Sequence, residues 1–228
     1  MEPIFYIVAT PIGNLEDISL RALRVLREEV DVILCEDTRT TRKLLNHYEI
    51  TTKTESYHAH SSEDKETSII RRINEGIRFA LVSDAGTPTI SDPGVKLVAA
   101  LRDQHPEIVI HSIPGASALI TGLSTTGFSG NQFTFYGFLP HKKGRNKIFD
   151  EIETSTRTSI FYESPHRLLK TLQELNTRFS ASGRKVAVGR ELTKMYEETI
   201  IGTGQEVFDY FTSHPEKIKG ECVIIIDK

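Results

Sequence analysis

Phe79-Ala80-Leu81-Val82-Ser83-Asp84-Ala85-Gly86-Thr87-Pro88 joins a short, unbroken apolar run to a turn of small and acidic residues. An apolar run without alternation is what a strand needs when helices cover both faces of its sheet. The turn that follows carries two chemical possibilities. An aspartate at a strand end accepts hydrogen bonds from ribose hydroxyls or an amino group, and a glycine beside it lets the backbone approach a ligand closely. The same residues also suit an ordinary strand-to-helix turn.

Working outward from this stretch, the first half repeats its grammar. Residues 4–9 read as a strand, and 19–29 as a helix with Leu20, Leu23, Leu26 and Val30 at three- to four-residue spacing. Val32–Cys35 is a second unbroken strand. Thr38 is placed to cap a helix over 39–47. Residues 54–58 read as a strand, 63–75 as a helix, 79–83 as a strand and 108–112 as the last strand. Between those two strands, Asp92 as cap and Pro93 in the first position open a helix over 93–102. Strands alternating with helices imply a parallel, doubly wound α/β sheet, with its ligand crevice at the carboxyl ends of the strands. Gly, Pro, Asp and Ser gather at those ends: Thr10-Pro11-Ile12-Gly13-Asn14, Glu36-Asp37-Thr38-Arg39, Asp84-Ala85-Gly86 and Pro114-Gly115-Ala116-Ser117.

Across 122–130 the periodicity breaks. Beyond it, strands are predicted at 133–137, 158–162, 185–189, 195–203 and 221–226. Ser164 and Pro165 open a helix running to about 178, and 204–211 is a shorter one. Fewer helices per strand point to a mixed sheet. The reading is therefore two α/β domains, 1–115 and 116–228.

With 38% hydrophobic and 26% charged residues in 228, the composition is that of a globular chain. A net charge of −3 argues against binding nucleic acid by bulk electrostatics, though not against a local basic patch. Cys35 and Cys222 sit in apolar runs with no metal or redox spacing, which suits a reducing compartment. The amino terminus lacks the pattern of a signal peptide, and no apolar run approaches the roughly 18 residues of a membrane span. A soluble, cytoplasmic protein is expected. A G-x-G-x-x-G fingerprint, a P-loop and a G-x-S-x-G elbow are all missing. His58 and His60 alternate on a predicted strand with no cysteine nearby in sequence, so no metal is expected.

Four further segments can carry chemistry. Residues 113–118 offer backbone N–H groups at a helix start. Glu36-Asp37-Thr38-Arg39 offers a general base or a phosphate clamp, or simply a helix cap. His141-Lys142-Lys143-Gly144-Arg145-Asn146-Lys147 is either a phosphate contact or a solvated loop. Tyr162-Glu163-Ser164-Pro165-His166-Arg167 and Gly189-Arg190-Glu191 place charges at strand ends of the second half.

Taken in order, the phrases Ala-Thr-Pro-Ile-Gly-Asn-Leu-Glu-Asp (9–17), Cys-Glu-Asp-Thr-Arg (35–39), Ser-Asp-Ala-Gly-Thr-Pro-Thr-Ile-Ser-Asp-Pro-Gly (83–94), Ile-Pro-Gly-Ala-Ser-Ala (113–118), Phe-Tyr-Glu-Ser-Pro-His-Arg (161–167), Gly-Arg-Glu-Leu-Thr-Lys (189–194) and Lys-Gly-Glu (219–221) resemble the ribosomal RNA small-subunit methyltransferase I family. That family lies within the tetrapyrrole-methylase (class III) superfamily. The resemblance implies a homodimer of two-domain chains with S-adenosyl-L-methionine in a cleft between the domains. It implies methyl transfer to the 2′-hydroxyl of a decoding-site cytidine of 16S rRNA in the small ribosomal subunit. By the same resemblance Pro11, Asp84, Ala85, Gly86, Thr89, Ile90, Ser117, Ala118, Tyr162 and Glu191 contact the cofactor. Asp37 and Glu163 are the candidates for base or orienter, Arg39 and Arg190 for phosphate or ribose positioning, and Lys142, Lys143 and Arg145 for the RNA backbone. Relatives often carry a further helical segment after the Lys-Gly-Glu strand, and a chain without it is expected to bind rRNA less tightly or through a partner. Two alternatives stay open: a methyltransferase of the same superfamily acting on a tetrapyrrole or a protein side chain, and a non-catalytic cofactor-binding module.

Overall fold

Phe79–Val82 forms β4, the middle strand of a five-stranded sheet in a computed structural model that describes residues 3–59 and 61–228. Met1 and Glu2, at the start of the stretch read above for targeting, and His60 of the histidine pair lie outside the described residues. The other strands are β1 (Ile4–Val8), β2 (Val32–Cys35), β3 (Lys53–Ser56) and β5 (Val109–Ile113), in the order β3-β2-β4-β1-β5. All their pairings are parallel. The helices of this unit are α1 (Leu20–Arg24), α2 (Thr38–His47), α3 (Glu63–Asn74) and α4 (Val95–Gln104).

The pleat explains why β4 carries no polar alternation. Ala80 and Val82, with Tyr6, Val8, Ile33 and Cys35, face α1 and α2, whose Ala22, Leu44 and Leu45 complete one apolar cluster. Phe79 and Leu81, with Phe5, Val32 and Leu34, face α3 and α4 through Ile69, Ile73, Leu97 and Leu101. Both sides of the sheet are thus sealed, as the unbroken runs require.

Local chemistry moves several helix boundaries from the sequence reading. Asp37, not Thr38, caps α2: its carboxylate accepts the Arg39 backbone N–H at 2.8 Å. Asp92 and Pro93 do not open α4. Gly94 adopts φ 112°, a left-handed turn that delays the helix to Val95. The helix expected over 19–29 begins as α1, with the Ser19 hydroxyl accepting the Ala22 N–H, and continues as a wider π-helical turn over Val25–Glu29.

The chain divides into two compact units, the first ending at Ser117 and the second running from Ala118 to Lys228. The second unit contains α5 (Ala118–Ser124), β6 (Phe133–Phe138), α6 (Arg145–Thr154), β7 (Thr158–Glu163), α7 (Pro165–Phe179), β8 (Lys185–Arg190), β9 (Glu198–Thr203), α8 (Gly204–Ser213) and β10 (Cys222–Ile226). Its sheet is mixed, ordered β6-β7-β10-β8-β9, with β6 and β7 parallel and the other pairs antiparallel. Phe161, Val186, Val188, Ile224 and Ile226 pack under α6, α7 and α8. Gly122 lets α5 approach Val223 and Ile225 on the other side.

The helix start expected over 113–118 is α5, which begins at Ala118, whereas α6 was not expected. The lysines of 141–147 drew attention to charge, whereas Arg145, Phe149 and Ile152 form the buried stripe that makes α6.

An ion pair ties the edge strand β3 to α3. Arg72 grips the Glu55 carboxylate through Nη1 at 2.8 Å and Nη2 at 3.1 Å, and Lys53 adds a contact at 3.0 Å. Hydrogen bonding from Arg72, then from Lys53, holds this carboxyl at about 2 against an ordinary 4.5. A carboxyl lowered in the folded state stabilises the fold above pH 4.5 and loses that contribution as pH falls toward 2. Urea unfolding at stepped pH is expected to show stability falling over this window, with a smaller fall in Glu55→Gln. Equal falls in both proteins would assign the acid sensitivity elsewhere.

Candidate functional site

Because α1 lies on one face of the first sheet and α4 on the other, the chain leaves the neighbouring strands β1 and β4 in opposite directions. This is the topological switch point, where open α/β sheets bind ligands. The two departing turns are tied together there. Thr10 N–H donates to Gly86 O at 2.9 Å and Gly86 N–H returns a bond to Thr10 O at 3.0 Å. The Thr10 hydroxyl donates to Ser83 O at 3.0 Å, and the Ser83 hydroxyl donates to Gly86 O at 2.9 Å. Gly86 sits at φ 89°, so a side chain there is disfavoured by its backbone alone.

This brace walls a cleft of about 230 Å³ within the first unit. Pro11, Asp84 and Ala85 line it, as does a face of α2 carrying Thr40, Lys43 and Leu44. A mostly apolar lining with a few polar groups suits a small organic ligand. The α2 residues went unread in the sequence. Their signal was position: the first turns of a helix that follows a strand at the switch point.

Asp37 and Arg39 stand beside this cleft. The Asp37 backbone N–H donates to Asp84 Oδ1 at 3.2 Å, which ties the turn after β2 to the turn after β4. Arg39 contacts the Asp37 carboxylate through Nη2 at 2.8 Å and Nε at 3.1 Å. That pairing lowers the Asp37 carboxyl to about 2. The Arg39 side chain is nonetheless 86% exposed, so its guanidinium still meets solvent. Thr89 and Ser91 follow at φ 74° and 62°. A β-branched residue in the left-handed region is a strained feature of the kind found at binding loops. Ile90 between them is exposed.

Ser117 ends the first unit and Ala118 begins α5 in the second. At the end of β7, successive side chains point to opposite faces. Tyr162 lies against Phe135 and Phe138, with ring centres 5.0 and 5.4 Å away. Glu163 points the other way and is fully buried. Its carboxylate meets Arg145 Nη2 at 3.1 Å, Arg167 Nε at 2.6 Å and the Thr171 hydroxyl at 2.7 Å, and accepts the Ser164 N–H at 2.9 Å.

These contacts correct two expectations. Glu163 has no open path to a substrate proton, because arginines and a hydroxyl occupy its oxygens. Arg145, 8% exposed, spends its guanidinium on Glu163 and Thr171 rather than on an outside phosphate. Lys142 and Lys143 remain exposed on the turn before α6. Arg190, at the end of β8, is also buried. It donates to Tyr196 O at 3.1 Å and pairs with Glu198 at 3.2 Å, which fits a loop anchor better than a ribose contact. Glu191 follows at φ 48° and pairs with Lys194 at 3.0 Å.

Residues 5–207 match the family model described as tetrapyrrole (corrin/porphyrin) methylases. A protein of Halalkalibacterium halodurans named ribosomal RNA small subunit methyltransferase I is 46% identical over 223 residues, covering 97% of this chain and 75% of its own length. Among solved structures, the methyltransferase CobJ superposes with a TM-score of 0.71 at 16% identity, over 100% of this chain and 95% of that one. A uroporphyrin-III C-methyl transferase from Thermus thermophilus, complexed with S-adenyl homocysteine, superposes at 0.63 with 15% identity, over 99% and 97%.

One close approach limits the turn after β5. A side-chain carbon on Gly115 would stand 2.9 Å from the Ala9 Cβ. Gly115→Ala is expected to lower stability by about 1–3 kcal/mol, as overpacking does. Urea melts measure this, and an unchanged midpoint would mean that the turn shifts freely.

Proposed function

The chain belongs to the tetrapyrrole methylase family, and from that membership we propose that it carries a methyl group from S-adenosyl-L-methionine to the ribose 2′-hydroxyl of a decoding-site cytidine in 16S ribosomal RNA. The observation that carries this reading is the kinship, over nearly its full length, with proteins named ribosomal RNA small subunit methyltransferase I. On this reading it works in the cytoplasm as a homodimer on the small ribosomal subunit. Among the described residues, no helix is long and apolar enough to cross a membrane.

The switch-point cleft fits the cofactor by the chemistry of its walls: an aspartate and a lysine set among apolar and backbone groups. S-adenosyl-L-methionine supplies an activated methyl group when bound. The chain must bind it and align the acceptor oxygen. Asp84, Ala85 and Gly86 are the proposed contacts to its methionine part, with Pro11, Thr89 and Ile90 alongside. Asp37, held at about 2 by Arg39, is a weak base in that pairing. Its proposed role is to orient Arg39, whose planar guanidinium suits a phosphate or ribose oxygen of the RNA.

Small subunits lacking the modification, incubated with enzyme and methyl-labelled cofactor, test the reading. Label is expected at one decoding-site ribose. Asp37→Asn is expected to slow turnover by about 10- to 100-fold through misalignment, with cofactor affinity nearly unchanged. Cofactor binding without any label on the subunit would overturn the assignment and favour a tetrapyrrole or protein acceptor, or a binding module without catalysis.

A further inference from the structure

The second unit buries a charge that the proposed chemistry does not use. Glu163 has no exposed surface, yet it receives two guanidiniums, a hydroxyl and a backbone N–H. Both arginines also reach the turn after β6. Arg167 Nη1 donates to Leu139 O at 2.9 Å, at the start of the turn, and Arg145 Nη1 donates to Pro140 O at 3.5 Å. Arg145 itself closes the turn as the first residue of α6. Between these grips lie His141, Lys142, Lys143 and Gly144, all exposed, with Gly144 at φ 87°. One carboxylate therefore fixes both ends of the segment that carries the lysines.

Stability alone does not account for this arrangement. Burying an ion pair so deeply is seldom more stabilising than apolar packing of the same volume, and buried charges are best attested where they specify one geometry. Here that geometry is the turn. An alternating series of charges continues outward from Arg145 to Glu174, Arg178 and Asp150, which fastens α6 to α7. Exposed lysines on a free loop attract phosphate in any direction, whereas on a fixed turn they set register as well.

We infer that Glu163 is a positioning residue for RNA, whose buried carboxylate holds the turn over residues 139–145 in the shape that presents Lys142 and Lys143 to the phosphate backbone. This rests on the proposed function for the identity of the partner. It assigns Glu163 a part that acts through the lysines rather than through the reacting atoms.

Two readouts on the whole chain test it. In free Glu163→Gln, amide hydrogen exchange over 139–145 is expected to quicken about tenfold or more while β10 keeps its protection. In methyl transfer, KM for small subunits is expected to rise about fivefold to tenfold, with KM for the cofactor and kcat each within about twofold. In a Lys142→Ala, Lys143→Ala background the same substitution should add no further rise. Thr171→Val removes one bond to Glu163 and one to Arg145, and it carries the test if Glu163→Gln fails to fold. Unchanged exchange in the turn, or an equal rise in KM without the lysines, would overturn the inference. Failure of the unaltered protein to methylate small subunits would instead count against the proposed function, and the exchange measurement would still judge the anchor.

Discussion

Thr10 and Gly86 exchange both of their backbone hydrogen bonds, the Thr10 hydroxyl adds a third link between the same turns, and the Ser83 hydroxyl closes the β4 turn on itself at Gly86 O. This brace sits where β1 and β4 send the chain to opposite faces of the sheet. A ligand crevice at such a point is only as well defined as the two turns that wall it. Water competes with single loop hydrogen bonds, but a closed set of four, partly buried, moves as one body. Asp84 is held at the rim of the set, and through it Asp37 and the start of α2 are brought to the same place. The polar geometry of the first unit follows from that one cross-link.

The second unit solves a different problem with charge. Its sheet is covered by apolar residues of α6, α7 and α8, and ion pairs run between α6 and α7 outside that cover. The Arg145–Glu163–Arg167 group, buried at Arg145 and Glu163 and half-buried at Arg167, locks the turn at the edge of that core. The two units thus use the same principle in two currencies, backbone hydrogen bonds in one and buried charge in the other. Each makes a turn rigid without adding secondary structure to it.

Unbroken apolar runs made the parallel sheet readable, because Val32–Cys35 and Phe79–Val82 have no polar side to expose. The mixed second sheet was readable from its strands alone. Caps were less so. Asp92 and Pro93 are a good helix start by local rules, but Gly94 in the left-handed region breaks the path one residue later. For α6, basic residues hid a buried stripe at helical spacing. At the site, Pro11, Asp84 and Ala85 were legible as strand-end residues and share one cleft. The role of Glu163 was not. Its partner Arg145 lies 18 residues away, and no local pattern tells a buried ion pair from an exposed one. The strand's own alternation did hold the clue that Tyr162 and Glu163 face opposite ways.

Titration calorimetry of S-adenosyl-L-methionine into the unaltered protein and into Thr10→Val tests the central claim most directly, since the valine keeps the shape of the threonine and removes only its hydroxyl link. Binding by the unaltered protein and an affinity reduced about tenfold or more in Thr10→Val, corresponding to about 1.4 kcal/mol, is the expected result. Equal affinity in the two proteins, with the fold intact, would contradict the claim that the brace between the β1 and β4 turns builds the cofactor site.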